Sequence, residues 1–263
     1  MRDQIELVAC DVDGTLLFGY GAEVERDALK QIGRLPAHGV RFVVASGRQY
    51  ACARRLFSEV ADDAAFICEN GSLVVWRGEV LVRHAMEREL ALGLCHDIMG
   101  RGLDLLVSGE RTCYVLDSAP GFAEHMRRVV GNDTTEVAAP ECIDEPIIKV
   151  SYMAPPEVLA AESAGFRARY GRELDVVTSG AIWMDIMPKG HDKAAALAEL
   201  GALWGIDPAH MAAFGDEEND RTMLDLVGHP YLMASGNAAM RTMNGRIRVV
   251  DSVAEELARL MEG

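Results

Sequence analysis

The sequence predicts an α/β fold in which a parallel-sheet core is interrupted by an inserted α+β domain. Apolar runs that are typical of buried strands alternate with helix-like segments at both ends of the 263-residue chain. Between these ends, strand-like segments follow one another in pairs. Continuous apolar strands separated by helices are typical of a parallel sheet that is covered on both faces.

Both ends of the chain carry this alternation. Val24, Ala28, Ile32 and Leu35 recur at spacings of three and four, which predicts one apolar face of a helix. In the amino-terminal part we predict strands at 5–10, 40–45 and 64–68 and helices at 24–35 and 49–60. In the carboxy-terminal part we predict strands at 211–214, 231–234 and 247–250 and helices at 193–203, 219–227, 238–243 and 253–261.

The middle of the chain follows a different pattern, in which a helix precedes two strands. We predict helices at 87–100, 121–130 and 156–170 and strands at 103–107, 113–116, 147–153, 174–177 and 183–187. This pattern predicts a separate domain with its own sheet. The expected boundaries are 1–83 and 188–263 for the core and 84–187 for the inserted domain, with hinges near 83–86 and 187–190.

Composition excludes several classes of partner. The net charge of −15 argues against nucleic acid and against anionic membranes. No apolar run approaches the roughly 20 residues that span a bilayer, and Met1-Arg2-Asp3-Gln4 leads directly into a strand, which argues against a signal peptide. The six cysteines form no Cys-x-x-Cys pair, so we expect reduced thiols and a cytoplasmic protein.

The first chemically informative motif is Asp11-Val12-Asp13-Gly14-Thr15, which ends the first strand. An ordinary Asp-Gly turn accounts for Asp13 and Gly14 but not for Asp11. Two carboxylates at the end of a parallel strand place acid chemistry at the sheet edge where open α/β proteins bind ligands.

Three other groups stand at equivalent places. Ser46-Gly47-Arg48 follows the second strand, Lys193 opens a helix, and the segment Gly215–Asp220 follows another strand. Because the carboxyl ends of parallel strands share one edge of a sheet, we expect these groups to meet Asp11 and Asp13 there.

Such a group has the composition of a phosphate site. Asp11, Asp13 and Asp216 offer oxygen ligands to a hard cation, and Mg²⁺ is the expected cofactor because it prefers a few carboxylates, water and a substrate phosphate. Ser46 adds a hydroxyl, and the backbone N–H groups of Gly47 and Arg48 can hold phosphate oxygens. A lysine would add positive charge and so help an acidic protein to hold an anionic substrate.

Lys193 is preferred to Lys189 as that lysine, because a cation in the first turn of a helix is electrostatically unfavourable and needs another reason to be there. In the chemistry that this set suits, Asp11 attacks phosphorus and Asp13 moves the proton. The role of Arg48 is left between two options, a contact with the substrate and an ion pair with a carboxylate of the inserted domain.

In this order, the four groups resemble the motifs of the haloacid dehalogenase superfamily of phosphatases, whose core is Rossmann-like. The position of the inserted domain is similar to the Cof-type branch, subfamily IIB, with a large α/β cap of the C2 type. Ser46-Gly47-Arg48, Glu69-Asn70-Gly71 and Ser235-Gly236-Asn237-Ala238 also look like that branch. Ala194 after the lysine and the segment 250–253 depart from its usual pattern, but neither carries chemistry.

The resemblance implies a role for each matching residue. Asp11 would be the nucleophile and a Mg²⁺ ligand, and Asp13 the general acid/base, with its backbone carbonyl on the metal. Asp216 would bind Mg²⁺, and Asp220 would support the metal ligands without binding the metal. Phosphate would contact four residues: Ser46, Gly47, Lys193 and Asn219.

The resulting hypothesis is a Mg²⁺-dependent phosphatase that hydrolyses a small phosphomonoester through an aspartyl-phosphate. The resemblance suggests a sugar phosphate, with a nucleotide or a cofactor phosphate as alternatives. Two other functions stay open, a phosphosugar phosphotransferase or mutase and a regulatory protein that binds a phosphorylated metabolite without turnover. We expect a monomer or a weak homodimer.

Overall fold

The computed structural model describes residues 5–19, 23–116, 119–179, 182–243 and 245–262. The segment Met1-Arg2-Asp3-Gln4, on which the expectation about a signal peptide rests, lies outside these residues. Within the described ranges, every helix is too short or too polar to cross a membrane.

The helices and strands, in chain order, are as follows. The first part contains β1 (Leu7–Cys10), α1 (Arg26–Ile32), β2 (Arg41–Ala45), α2 (Tyr50–Leu56), β3 (Ala64–Cys68), β4 (Leu73–Trp76) and β5 (Glu79–Arg83). The middle contains α3 (Arg88–Met99), β6 (Asp104–Gly109), β7 (Cys113–Leu116), α4 (Phe122–His125), β8 (Thr134–Glu136), β9 (Ile147–Met153), α5 (Pro156–Tyr170), β10 (Leu174–Ser179) and β11 (Trp183–Pro188). The last part contains α6 (Lys193–Trp204), β12 (Met211–Gly215), α7 (Arg221–Leu226), β13 (His229–Met233), β14 (Arg248–Val250) and α8 (Val253–Glu262).

The chain forms two compact units. Unit 1 comprises residues 1–48, 53–82 and 192–263, and unit 2 comprises residues 49–52 and 83–191. The sheet of unit 1 has the strand order β14-β13-β12-β1-β2-β3-β4-β5. From β14 to β3 every neighbouring pair is parallel, and β4 adds to β3 antiparallel.

The connections of unit 1 reverse direction at β1. The chain after β1 continues to β2 and β3 on one side, whereas β12, β13 and β14 lie on the other side. The carboxyl end of a strand at such a switch point is the usual ligand site of an open α/β sheet. Asp11 follows β1 directly, so the sheet topology places this carboxylate at the switch point.

Side-chain alternation along the strands gives unit 1 its core on both faces of the sheet. Leu7 and Ala9 belong to a buried cluster that also contains side chains of α6 and α7, among them Leu197, Leu200 and Met223. Further apolar contacts come from aromatic pairs, with the Phe57 ring packed against Phe42 and Phe66.

Unit 2 contains a second sheet with the order β10-β11-β9-β6-β7-β8. Its strands are antiparallel except for the parallel pair of β7 and β8. One buried cluster joins the strands to α3 and α5, for example Leu94 and Phe166. A second cluster places Phe122 and Met126, from α4 and the π-helical turn after it, on Leu106 and Val115.

The predicted α/β class with a parallel-sheet core is therefore confirmed, but several elements differ in extent. The helix expected at 24–35 ends at Ile32, and a separate 3₁₀ turn spans Leu35–His38, with Pro36 in its first turn. The helix expected at 49–60 spans only Tyr50–Leu56. The strand β8 was not predicted, because Thr-Thr-Glu is too short and too polar to show an apolar pattern.

Candidate active site

The carboxyl end of β1 turns sharply after its first acid. The Asp11 N–H donates to the carbonyl of Phe214 at 2.9 Å, so the ladder to β12 continues through Asp11. The Leu17 N–H then donates to the Val12 carbonyl at 2.8 Å and closes a tight turn. Asp11 is buried, whereas the Asp13 side chain is 55% exposed. Two acids that are two positions apart therefore have very different environments.

Lys193 meets Asp11 from the first turn of α6. The Asp192 carboxylate caps this helix by accepting from the Ala195 N–H at 2.9 Å. The Lys193 side chain is 1% exposed. Its Nζ donates to Asp11 Oδ1 at 2.5 Å and to Asp220 Oδ1 at 2.7 Å. One ammonium group is thus shared by two buried carboxylates from different strand ends.

The turn after β12 supplies two more acids. Asp220 is fully buried, and its Oδ2 accepts from the N–H groups of Asp216 and Glu217 at 3.0 and 3.3 Å. Asn219 lies in the same turn with its side chain exposed. Oxygens of Asp11, Asp216 and Asp220 all lie within 4.8 Å of one another.

Glycine lets the Asp216 carboxylate reach this cluster. Gly14 has a φ of 86°, and a Cβ at Gly14 would lie 2.7 Å from the Asp216 Cγ. Gly236 also lies close to Asp216, since a Cβ added at Gly236 would lie 2.6 Å from the Asp216 carbonyl oxygen. The Asp216 segment therefore fits between two backbones that carry no side chain.

The cluster is short of positive charge. Burial, and after it the negative charge of Asp220, raise the pKa of Asp11 above its usual value, although Lys193 opposes them. Burial and Asp220 also raise the pKa of Asp216 to about 7. Burial alone would lower the pKa of Lys193, but Asp11 and Asp220 raise it above its usual value. The three upward pKa shifts have one cause in common, because three carboxylates face a single ammonium.

The donors that are present fit a divalent cation. They are carboxylate oxygens, the ligands that Mg²⁺ prefers, and the acids exceed Lys193 by two charges when all are ionised. Asp220 is the least suited ligand, because one of its oxygens accepts from Lys193 and the other from two N–H groups. Asp11 and Asp216 are left as the carboxylates that could hold the ion.

Arg48 reaches a partner that the sequence did not suggest. Its Nε and Nη2 donate to the two carboxylate oxygens of Asp13 at 2.8 and 2.6 Å. Asp13 belongs to unit 1, so this ion pair lies within that unit. The Arg48 N–H donates to the buried Ser46 Oγ at 3.2 Å, and its contact with phosphate stays a prediction.

The structure thus brings four predicted residues together, which are Asp11, Lys193, Asp216 and Asp220. It places Asp13 with Arg48 and puts Gly47 beside Ser46 in the loop after β2. Sequence reasoning missed the close approach at Gly14 and the cap at Asp192. The first had no sequence signal beyond a turn, but Asp directly before a helix is a recognised capping pattern.

A parallel sheet with buried acids and a lysine at its switch point has the groups that an α/β enzyme of the phosphoryl-transfer class needs. Comparison with known proteins identifies the family. The family model for haloacid dehalogenase-like hydrolases matches residues 8–249. The chain belongs to this family and is one of its phosphatases.

Two relatives support this assignment, and one solved structure shows the same fold. The 5-amino-6-(5-phospho-D-ribitylamino)uracil phosphatase YbjI of Escherichia coli (strain K12) is 26% identical over 237 residues, which cover 90% of this chain and 88% of that protein. The HMP-PP phosphatase of Cronobacter sakazakii is 26% identical, with 88% and 84% covered. A haloacid dehalogenase-like hydrolase from Bacteroides thetaiotaomicron shares the fold, with a TM-score of 0.86 at 20% identity and with 98% and 100% of the two chains covered.

Proposed function

We propose that the protein hydrolyses a small phosphomonoester with Mg²⁺ and forms an aspartyl-phosphate on Asp11. The observation that carries the proposal is the buried Lys193 ammonium between Asp11 and Asp220, with Asp216 beside them. This arrangement orients one Asp11 oxygen and concentrates charged groups where a phosphoryl group would sit. In phosphoryl transfer, most of the catalysis comes from positioning and from electrostatic stabilisation.

In the first step, the Asp11 carboxylate attacks phosphorus. A bond from Oδ to phosphorus forms while the ester P–O bond breaks, and the departing oxygen takes a proton from Asp13. For this step the proton donor must be accessible, and the Asp13 side chain is exposed. In the structure, Asp13 accepts two hydrogen bonds from Arg48. To act as the acid, Asp13 must exchange this contact for one with the departing oxygen.

In the second step, water attacks phosphorus in the aspartyl-phosphate and gives its proton to Asp13. Inorganic phosphate is released, and Asp11 returns to its ionised form. Lys193 stabilises charge on the transferring group in both steps, and its contact with Asp220 keeps it in place. Mg²⁺, held by the carboxylates of Asp11 and Asp216 and the Asp13 carbonyl, would neutralise charge on the phosphoryl oxygens.

The identity of the substrate rests on features outside this cluster. We propose that unit 2 acts as the cap that selects the leaving group, because an inserted domain is a common lid in enzymes. Sugar phosphates are the first candidates. The names of the two relatives add 5-amino-6-(5-phospho-D-ribitylamino)uracil and HMP-PP to the candidate substrates.

A panel of phosphomonoesters tests the proposal. It should contain sugar phosphates, nucleotides, pyridoxal phosphate, FMN and the compounds that name the relatives, each assayed with and without Mg²⁺. We expect Mg²⁺-dependent release of phosphate in proportion to the ester consumed. Loss of ester without release of phosphate would instead indicate transfer to a second sugar, and no turnover across the panel would disprove the enzymatic proposal.

The substitution Asp11→Asn tests the nucleophile. We expect hydrolysis to fall below detection, because an amide oxygen is a far weaker nucleophile than a carboxylate. Circular dichroism should show an unchanged fold. Asp27→Asn is the matched control, since Asp27 is an exposed acid on α1, and this variant should retain full activity. Retained activity in Asp11→Asn would remove Asp11 as the nucleophile.

A further inference from the structure

The turn after β3 holds three consecutive residues in the left-handed backbone region. Glu69, Asn70 and Gly71 have φ values of 51°, 57° and 113°. All three residues are buried, with Glu69 1% and Asn70 8% exposed. Left-handed backbone is unfavourable for a residue other than glycine, and such strain persists only where the surroundings require it. We refer to Glu69–Gly71 as the left-handed turn.

On one side, the left-handed turn bonds to the loop after β2. The Glu69 N–H donates to the Arg48 carbonyl at 3.2 Å, and the Asn70 N–H donates to the Ser46 carbonyl at 3.1 Å. Gly47 packs so closely on the Asn70 amide that a Cβ at Gly47 would lie 2.8 Å from the Asn70 Oδ1. The turn therefore holds the backbone of the Ser46–Arg48 loop at both ends and at its centre.

On its other side, the left-handed turn packs against the start of α6. A Cβ at Gly71 would collide with the Asp192 carbonyl group and would lie 2.9 Å from the Lys193 backbone N. These are backbone atoms, so they could avoid a side chain only if the helix start itself moved. Gly71 thus decides how closely the helix that carries Lys193 can approach the sheet.

From these contacts we infer that the left-handed turn is a positioning element for catalysis, with Asn70 and Gly71 as its positioning residues. The turn holds the distance between the Ser46–Arg48 loop and Lys193 constant, so that a phosphate group can contact both. A turn that only joined β3 to β4 would not require two strained residues in contact with both site segments. The inference rests on the proposed function, because it assigns the turn a role in phosphate binding and transfer.

The substitution Gly71→Ala tests the contact with α6. Its control is Gly78→Ala in the hairpin between β4 and β5, because Gly78 has a φ of 80° and its added Cβ would meet nothing within 4 Å. Both variants carry a left-handed alanine, but only Gly71→Ala moves Lys193. With p-nitrophenyl phosphate and Mg²⁺, we expect kcat to fall about 10- to 100-fold in Gly71→Ala and to stay unchanged in Gly78→Ala.

The substitution Asn70→Gly tests the contact with the Ser46–Arg48 loop. Because it adds no atoms, its result does not depend on whether the fold accommodates a new side chain. It relieves a left-handed φ and removes the amide that packs on Gly47, and thermal unfolding of the variant measures its effect on stability separately. Phosphate affinity should fall, with the inhibition constant of inorganic phosphate raised about fivefold or more. Arg77→Gly is the control, since Arg77 has a φ of 52° and is exposed in the β4–β5 hairpin.

The outcomes separate this inference from the proposed function. A merely structural turn would make activity follow stability, so a fully active Asn70→Gly protein with unchanged phosphate affinity would overturn the inference. The same conclusion would follow if folded Gly71→Ala and Gly78→Ala proteins shared one kcat. In both cases wild-type hydrolysis would leave the proposed function standing. A wild-type protein without hydrolysis would overturn the proposed function, and the inference that rests on it would fall with it.

Discussion

Lys193 illustrates how single residues create this site. A lysine that is 1% exposed has lost almost all its hydration, and hydrogen bonds to Asp11 and Asp220 replace it. Removal of one partner from a buried ion pair leaves an uncompensated charge, which costs far more than the net contribution of the pair. The same group therefore supports stability, and in the proposed mechanism it also acts in catalysis.

The substitution Lys193→Met should lower both kcat and the free energy of unfolding. We expect kcat to fall about 10²–10³-fold, as for loss of a transition-state donor. The free energy of unfolding should fall by about 3–5 kcal/mol, because Asp11 and Asp220 lose their ammonium. Steady-state kinetics and urea unfolding measure the two effects. Lys189→Met is the control, since Lys189 is exposed, and equal losses in both variants would contradict this account.

The excess of carboxylates over ammonium groups in the cluster gives a second prediction about a single residue, Asp216. Because burial and Asp220 raise the pKa of Asp216 above its unfolded value, ionised Asp216 destabilises the metal-free fold at neutral pH. Asp216→Asn should therefore raise the Tm without Mg²⁺. The variant should also lose the stabilisation by Mg²⁺, which in wild type is about 2.7 kcal/mol at 100 times the dissociation constant.

Thermal unfolding with EDTA and with Mg²⁺ measures both effects of Asp216→Asn. Glu217→Gln is the control, because Glu217 is the exposed neighbour in the same turn and should keep the response of wild type to Mg²⁺. An equal Mg²⁺-induced rise in Tm for Asp216→Asn and for wild type would show that Asp216 does not hold the ion.

At the scale of elements, α6 has two functions. Its inner face supplies Leu197 and Leu200 to the core, and its first residue supplies the ammonium that we propose to be catalytic. A cation in the first turn opposes the helix dipole, so the helix start needs compensation. The Asp192 cap provides part of it by accepting from the Ala195 N–H.

The substitution Asp192→Ala should separate capping from catalysis. We expect a loss of about 0.5–2 kcal/mol in unfolding free energy, the usual cost of a lost cap, together with a lower kcat because Lys193 is less well held. Asp207→Ala is a matched control, since Asp207 accepts from the Ala209 N–H at 2.8 Å and caps a different turn. If kcat fell equally in both variants, the effect would come from stability alone.

At the scale of the whole molecule, each unit has its own sheet and buried clusters. Five of the six cysteines are buried, whereas Cys142 is exposed. Burial raises the pKa of Cys95 to about 12, and it also raises that of Cys10. Thiol chemistry therefore reports on the folding of both units, since unit 1 contains Cys10 and Cys68 and unit 2 contains Cys95 and Cys113. The cytoplasmic location stays a prediction.

Alkylation with iodoacetamide at pH 8 should modify the native protein once, at Cys142. Buried thiols are inaccessible, and the raised pKa values of Cys10 and Cys95 also keep those two protonated. In guanidinium chloride all six cysteines should react. Intact-mass spectrometry counts the adducts in both states. Rapid modification at two or more positions in the native protein would contradict the burial described above.

Much of unit 1 was predictable, because its strands are apolar throughout and its acids directly follow strand ends. The segment Ala64–Cys68 was predicted with its observed bounds, and Asp11, Lys193 and Asp216 were predicted to meet. Element ends were harder to predict, since Pro36 and short polar strands such as Thr134–Glu136 leave weak periodic signals. The partner of Arg48 was missed, because a flexible side chain can reach several acids that the sequence does not place.

The fold class, the groups of the site and their common sheet edge all follow from the amino-acid sequence, because strand periodicity and parallel topology constrain all three. The contacts within the site depend instead on how distant segments pack. The separation of Lys193 from the Ser46–Arg48 loop depends on the left-handed turn, and the place of Asp216 depends on space at Gly14. Such distances arise from backbone packing between segments far apart in the chain, for which local sequence carries no signal.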